Sequence, residues 1–162
     1  MNMKKLLLTL SIICISGISA RAQETFSHTE AGVEITIPAG WFYESKDQDF
    51  TIYTPGKELG ITLAVLDATE IDKAIAEVDA DIEKHFKDVK LGDVKEAKAN
   101  GMDCWEISGT ASLEGHPVIL YYCMVLTPKG KILEISAVGT EAEFDKYSRE
   151  IEQLDNSLKP IQ

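Results

Sequence analysis

The 162-residue sequence has few of the residues on which strong chemical assignments rest. It contains three cysteines, three histidines and two arginines, with 16 Lys and Arg against 27 Asp and Glu and a net charge of −11. A phosphate-binding surface needs clustered Lys and Arg, so this balance argues against nucleic acid as a partner. A chain of this length and charge is expected to form one globular domain and to be a monomer.

Catalytic and cofactor motifs are also missing. The sequence has no Gly-x-Gly-x-x-Gly or Walker-type loop, no Gly-x-Ser-x-Gly elbow, and no His-x-x-x-His, His-Glu-x-x-His or Cys-x-x-Cys spacing. It therefore gives no support for a nucleotide cofactor, a nucleophilic serine or a zinc site. We expect no cofactor, no metal and no catalytic residue, and the chain is not predicted to be an enzyme.

One carboxylate pair is the best candidate for glycosidase chemistry. Glu106 and Glu134 are predicted to share a sheet face with Tyr121, with their Cα atoms roughly 16 Å apart from strand spacing and register. The carboxyls of glycosidases lie about 5 to 9.5 Å apart. The predicted separation therefore excludes this pair.

The first 22 residues have the pattern of a secretory signal peptide. Lys4 and Lys5 precede an apolar run over residues 6–18, and Ala20 and Ala22 supply the small residues before a cleavage site. The run has about 13 residues, fewer than the ~20 of a transmembrane helix. We expect cleavage after Ala22 and no stable membrane insertion. A lipoprotein signal at Cys14 is a weaker alternative, because a branched residue precedes that cysteine.

Cleavage leaves a single domain, residues 23–162, that is predicted to be periplasmic or extracellular. It holds 13 Lys and Arg against 27 Asp and Glu, a net charge of −14, and its one arginine is Arg149. An oxidising compartment makes Cys104 and Cys123 candidates for a disulfide. A turn centred between residues 113 and 114 places them directly opposite each other. Two reduced thiols are the alternative, because directly cross-strand disulfides are strained.

Hydrophobic periodicity predicts strands first and then helices and strands in alternation. Period-2 segments and turn residues predict strands at 26–28, 33–37, 42–45, 50–54 and 61–66. Period 3.6 predicts a helix within 67–88 and a second one before Pro160. Their apolar faces are Ile71, Ile75, Val78, Ile82 and Phe86, and Phe144, Tyr147, Ile151, Leu154 and Leu158. Thr69 with Asp72, and Thr140 with Glu143, predict capping boxes at the two helix starts.

A three-strand antiparallel meander is predicted between the helices, at 102–111, 117–127 and 131–138. The predicted register places seven apolar residues on one face, which is expected to be core: Trp105, Ile107, Leu120, Tyr122, Met124, Leu133 and Ile135.

Aromatic residues crowd one edge of the predicted first sheet. Trp41, Phe42, Tyr43 and Tyr53 form a candidate partner surface, since aromatic residues are enriched in binding hot spots. Packing in the core is the alternative explanation for them.

Residues 33–41, Val-Glu-Ile-Thr-Ile-Pro-Ala-Gly-Trp, resemble the opening strand and Pro-x-Gly-Trp segment of PsbP-like domains. The final helix with Asn-Ser-Leu-Lys at 156–159 resembles their closing segment, and the meander ending in Val-Gly-Thr at 138–140 is similar too. The resemblance covers about residues 25–160 and implies an α/β/α sandwich with a central antiparallel sheet. It also implies a protein-binding module, because members that act in photosystem II assembly, small-GTPase binding or effector chaperoning bind proteins without catalysis. The resemblance does not assign a functional role to any residue of this sequence.

The sequence thus favours an exported, non-catalytic accessory module that binds another protein. A carrier of a small apolar ligand, with a pocket between sheet and helix, is one alternative. A hydrolase whose residues converge only in three dimensions is another.

Overall fold

The computed structural model describes residues 23–46 and 49–162. The predicted signal peptide, its cleavage site and Cys14 lie outside the described residues and stay predictions. Within the described ranges, no helix is long and apolar enough to cross a bilayer.

The protein has an α+β fold with two antiparallel sheets and two helices, which confirms the predicted fold class. Its elements are β1 (Glu24–His28), β2 (Val33–Ile37), β3 (Phe42–Lys46), β4 (Asp49–Tyr53), β5 (Gly60–Leu66), α1 (Ile71–His85), β6 (Lys87–Leu91), β7 (Lys95–Ala99), β8 (Met102–Leu113), β9 (His116–Leu126), β10 (Ile132–Gly139), α2 (Glu141–Ser157) and β11 (Lys159–Pro160). The large sheet has the order β3-β4-β5-β10-β9-β8-β6, with β7 also paired to β8. The small sheet has the order β1-β2-β11.

Helix α1 covers one face of the large sheet. Its buried residues Ala74, Val78 and Ile82 recur every four positions, as an amphipathic helix requires. They pack in one apolar cluster with residues of the meander, among them Leu120 and Met124. This contact fixes α1 on the sheet.

The start of α1 differs from the prediction. Its N-cap residue is Glu70, and no side chain caps the first turn. The predicted capping box of Thr69 and Asp72 is therefore wrong. The helix begins at Ile71, so its N-cap lies one residue later than the pattern predicts.

Helix α2 and the small sheet together cover the other face of the large sheet. Leu154 of α2 and the alternating residues Val33, Ile35 and Ile37 of β2 are buried in a second apolar cluster. The backbone N–H of Thr36 donates to Ser157 Oγ at 2.8 Å, which ties β2 to the end of α2. The resulting three layers form the predicted α/β/α sandwich.

The capping box predicted for α2 is confirmed. The Glu143 N–H donates to Thr140 Oγ1 at 3.3 Å, and the Thr140 N–H donates to Glu143 Oε2 at 2.7 Å. The helix ends at Ser157, before Pro160, which lies in β11 and pairs with Val33. The capping box thus gives hydrogen-bond partners to two backbone N–H groups at the start of α2, those of Thr140 and Glu143.

The meander of β8, β9 and β10 is confirmed as three antiparallel strands, but the predicted face of β10 is wrong. Leu133 pairs with Val125 and Ile135 pairs with Cys123, so both face α2 instead of α1. Leu120, Tyr122 and Met124 do face α1, as the cluster around that helix shows. Strand β10 presents Leu133 and Ile135 on one face and Glu134 and Ser136 on the other, and this alternation alone does not show which face meets which helix.

The strands β6 and β7 were not predicted. Their sequences, Lys-Asp-Val-Lys-Leu and Lys-Glu-Ala-Lys-Ala, are rich in charge and largely exposed, as is typical of protected edge strands. Strand β6 approaches β8 so closely that a Cβ at Gly109 would lie 2.4 Å from the Lys90 carbonyl oxygen. Glycine at position 109 permits this approach.

Candidate functional site

A pocket of about 280 Å³ opens where the end of α2 meets the large sheet. Strands β8, β9 and β10 form its floor, the β7–β8 hairpin forms one wall, and the last turn of α2 covers it. Its lining includes two thiols, two carboxyls and a phenol, which belong to Cys104, Cys123, Glu106, Asp155 and Tyr121. No histidine is among the described residues that line it.

The β8–β9 register sets the floor of the pocket. Strands β8 and β9 are joined by the two-residue turn Glu114-Gly115, whose φ angles of 53° and 85° are typical of a type I′ hairpin. Cys104 therefore pairs with Val125, and Glu106 pairs with Cys123. The predicted register, with Cys104 directly opposite Cys123, is wrong because the turn centre lies one residue later.

This correction keeps both cysteines on one face. Moving the turn centre by one residue shifts the pairing by two, and side chains alternate with period two. Cys104 and Cys123 are now diagonal neighbours, and both are free thiols in the structure. Diagonal Cα atoms typically lie about 7 to 8 Å apart, beyond the usual span of a disulfide. The observed register therefore does not support the predicted disulfide between Cys104 and Cys123, which stays a prediction.

Three ligand-type atoms meet on this floor. Cys104 Sγ, Cys123 Sγ and a carboxylate oxygen of Glu106 all lie within 4.8 Å of one another. Both cysteines are buried, at 3% and 6% exposure, while Glu106 is partly exposed. The Tyr121 hydroxyl donates to Glu106 Oε1 at 3.4 Å, which orients this carboxylate.

The β7–β8 hairpin fixes the last turn of α2 over the pocket. Its turn is Asn100-Gly101, with φ angles of 48° and 89°. Asn100 Nδ2 donates to the carbonyl oxygens of Asn156 at 2.9 Å and Leu158 at 2.6 Å. These carbonyls at the helix end would otherwise lack partners. The two bonds hold Asp155 at the rim of the pocket.

The pocket disfavours negative charge. Burial raises the pKa of the Cys104 and Cys123 thiols, and the charge of Glu106 adds to this effect. Burial, followed by repulsion from Glu106, raises the pKa of Asp155 to about 6. Burial also raises the pKa of the Tyr121 hydroxyl. The thiols are therefore protonated and weakly nucleophilic at neutral pH.

Sequence reasoning did not find this site because its lining residues come from five elements, β7, β8, β9, β10 and α2. Glu106 was considered only with Glu134, but Glu134 pairs with Met124 and faces α1, so the two carboxylates lie on opposite faces of the sheet. In the sequence, nothing distinguishes Asp155 from the other acidic residues of α2. The sequence pattern that points to this site is the placement of Cys104 and Cys123 on one face of two adjacent strands.

The residues of the predicted aromatic surface are divided between core and edge. Trp41 is buried, at 5% exposure, and its ring meets the Tyr147 ring edge-on with centroids 5.7 Å apart. Tyr43 is 37% exposed and packs beside Phe26 and Phe50. Trp41 thus belongs to the core, while Tyr43 is accessible on the face of β3 toward the small sheet.

Phe42 and Tyr53 form a pair on the opposite side of β3 and β4. They are direct cross-strand neighbours, and their rings stack with centroids 5.6 Å apart. Lys57 Nζ lies 5.3 Å and 5.1 Å from the two ring centroids and contacts Glu44 Oε1 at 2.6 Å. The structure therefore brings two of the four predicted aromatic residues together at the edge of the large sheet.

Comparison with known proteins places the fold. No family model matches the chain, and no curated protein matches it. Among solved structures, the cyanobacterial PsbP (CyanoP) of Synechocystis sp. PCC 6803 superposes with a TM-score of 0.65 at 12% identity, over 89% of this chain and 95% of that one. LpqN of Mycobacterium tuberculosis, described as involved in cell envelope biogenesis, gives 0.62 at 15% identity, over 85% and 90%. PA94 of Pseudomonas aeruginosa, of unknown function, gives 0.57 at 17%, over 85% and 96%.

Proposed function

From its PsbP-like fold, we propose that this chain is an exported, non-catalytic accessory module of the cell envelope that binds a protein partner. LpqN, which shares the fold, is described as involved in cell envelope biogenesis. The predicted signal peptide over residues 1–22 supports the same compartment.

The observation that carries the binding role is the aromatic pair Phe42 and Tyr53. Strand β3 is the terminal strand of the large sheet in the described residues and is largely exposed. Phe42 of β3 and Tyr53 of the neighbouring β4 stack there, both partly exposed, with Lys57 Nζ over the two rings. Aromatic rings at an accessible sheet edge are typical of protein-binding hot spots.

Charge supports a partner with a basic surface. On the aromatic side of β3 and β4, Glu44 contacts Lys57 and Asp49 is the cross-strand neighbour of Lys46, so the local charges balance and the attraction comes from the net charge of the chain. The predicted mature chain carries a net charge of −14. A positively charged partner would be attracted to the chain as a whole, and like-charged proteins would be repelled.

A photo-crosslinking residue tests this proposal. Placed at the exposed position Glu44 in the exported protein, it is expected to capture one defined protein with a basic surface. The matched control is Glu114, an exposed position in the β8–β9 turn. Tyr53→Ala should abolish capture at position 44 while the thermal unfolding transition is retained. Equal capture at both positions, or none at position 44, would contradict the proposal.

A second candidate function is supported by the pocket at the end of α2. Its volume of about 280 Å³ lies near the small end of ligand pockets, roughly 300–1,000 Å³. Its thiols, carboxyls and phenol fit a small polar ligand or a metal ion better than the apolar ligand predicted from sequence. Equilibrium dialysis against fatty acids and against divalent metals distinguishes these two ligand classes.

A further inference from the structure

We propose that Cys104, Cys123 and Glu106 bind a zinc ion whose fourth coordination position opens into the pocket beneath the end of α2. This inference does not rest on the proposed partner surface. The three ligands face α2, whereas Phe42 and Tyr53 lie on the other side of the large sheet.

The distances fit such a site. The two sulfurs and the carboxylate oxygen already lie within 4.8 Å of one another. With Zn–S bonds of about 2.3 Å and a Zn–O bond of about 2.0 Å, tetrahedral ligand atoms lie roughly 3.5 to 3.8 Å apart. Side-chain rotations can supply the remaining approach, about 1 Å, while the paired backbone of β8 and β9 stays in place.

The ligand set favours zinc over other ions. Two thiolates exclude the hard cations Ca²⁺ and Mg²⁺, which take oxygen ligands. A carboxylate beside them is common at zinc and unusual at the softer Cu⁺. Three protein ligands with an open fourth position is the arrangement of zinc sites that exchange a water or bind a small ligand.

The surroundings supply the support that metal ligands need. The Tyr121 hydroxyl donates to Glu106, and hydrogen bonds of this kind orient metal ligands. Asp155 lines the same pocket. Among the described residues that line the pocket, Lys98 is the only cationic one, and its ammonium is held by Asp103. A bound cation would therefore balance acidic groups that otherwise have no positive partner inside the pocket.

Metal titration of the exported protein tests the site. The reduced protein is expected to bind one Zn²⁺ per chain by calorimetry, and Co²⁺ should show the charge-transfer band of thiolate coordination. Cys104→Ser and Cys123→Ser should each weaken Zn²⁺ binding by more than the roughly 10- to 100-fold that losing a hydrogen-bond partner of a ligand costs. Tyr121→Phe, which removes such a partner, should fall within that range.

The matched control is Glu134→Gln. Glu134 is also a partly buried carboxylate of the meander, but it faces α1, so its loss should leave Zn²⁺ affinity unchanged. A second measurement needs no variant: Zn²⁺ should protect Cys104 and Cys123 from alkylation, and a chelator should restore their reactivity.

Three results would overturn the proposal. The first is no saturable binding, and the second is Zn²⁺ binding that neither cysteine variant changes, which would place the ion on the acidic surface. The third is a Cys104–Cys123 disulfide in protein isolated without reductant, seen as a mass increase upon reduction. That bond would consume both sulfur ligands.

Discussion

The two faces of the large sheet are covered in different ways. One face meets a single helix, α1, whose buried residues Ala74, Val78 and Ile82 form a continuous apolar contact. The other face meets both α2 and the small sheet, and α2 itself contributes one fully buried residue, Leu154. The face with two covering elements is the one that contains the pocket.

This difference shows how the fold creates a site without a catalytic motif. One helix that lies along a sheet can bury its apolar face completely, and apolar side chains fill the space between helix and sheet. Two separate covering elements leave a gap at the end of one of them. Glu106 is tolerated in that gap because it is partly exposed to water, and the two buried thiols are tolerated because they stay protonated.

The largest expected change in the free energy of unfolding comes from substitutions that create a cavity on one face of the large sheet. Leu154 and Ile82 are both fully buried, at 0% exposure, one on each face. Leu154→Ala and Ile82→Ala are each expected to lower the free energy of unfolding by about 2 to 5 kcal/mol, measured by urea denaturation. Only Leu154→Ala should also speed the native-state reaction of Cys104 and Cys123 with a thiol reagent. Equal acceleration by Ile82→Ala would show that the faces are not independent.

The next largest change in the free energy of unfolding is expected at the β7–β8 hairpin, which holds the end of α2. Asn100→Ala removes two hydrogen bonds to helix carbonyls and places alanine at a positive φ, so we expect a loss of about 1 to 3 kcal/mol in urea denaturation. Glu114→Ala is the matched control, because Glu114 occupies the corresponding turn position with φ of 53°. Its cost should stay below about 0.5 kcal/mol. Similar losses for both would assign the effect to turn conformation alone.

The helix starts provide a smaller contrast. Thr140→Ala breaks the capping box of α2 and should cost about 1 kcal/mol. Thr69→Ala should change the unfolding free energy by less than about 0.5 kcal/mol, because no side chain caps α1. Thermal unfolding of the two variants checks both values. A comparable loss for Thr69→Ala would show that α1 is capped after all.

The smallest expected effect is the pH dependence of Asp155. Its pKa is raised from 3.8 to about 6, so between about pH 4 and pH 6 the folded state binds more protons than the unfolded state. Stability from this group therefore falls as pH rises through that interval. Asp155→Asn should stabilise the protein near pH 7, by less than about 1 kcal/mol because the residue is exposed to solvent. Near pH 3 the gain should vanish.

Melting curves across this pH range measure the effect. Asp145→Asn, an exposed position on the same helix, controls for the loss of one negative charge. Glu134→Gln should shift stability in the same direction on the α1 face, since burial raises the pKa of Glu134 as well. Destabilisation by Asp155→Asn near pH 7 would mean that the carboxylate has a favourable partner.

Both amphipathic helices could be predicted from sequence, because the spacing of Val78 and Ile82, or of Ile151 and Leu154, is a local property of the chain. The α2 capping box was predicted for the same reason, since Thr140 and Glu143 are three residues apart. The β6 and β7 strands could not be predicted, because their pairing with β8 supplies the order that Lys-rich segments lack on their own.

The sequence by itself determined the charge, the helices, the antiparallel meander and the presence of both cysteines on one face. These features depend on composition and on periods of 2 and 3.6, which are read within a few residues. Only the tertiary structure decided the β8–β9 register, the face of Leu133 and Ile135, and the meeting of Cys104, Cys123 and Glu106 below Asp155. The reason is that an even shift in strand pairing, as between β8 and β9, leaves every side chain on its face, whereas an odd shift, as between β9 and β10, exchanges the faces, and neither changes the alternation within a strand.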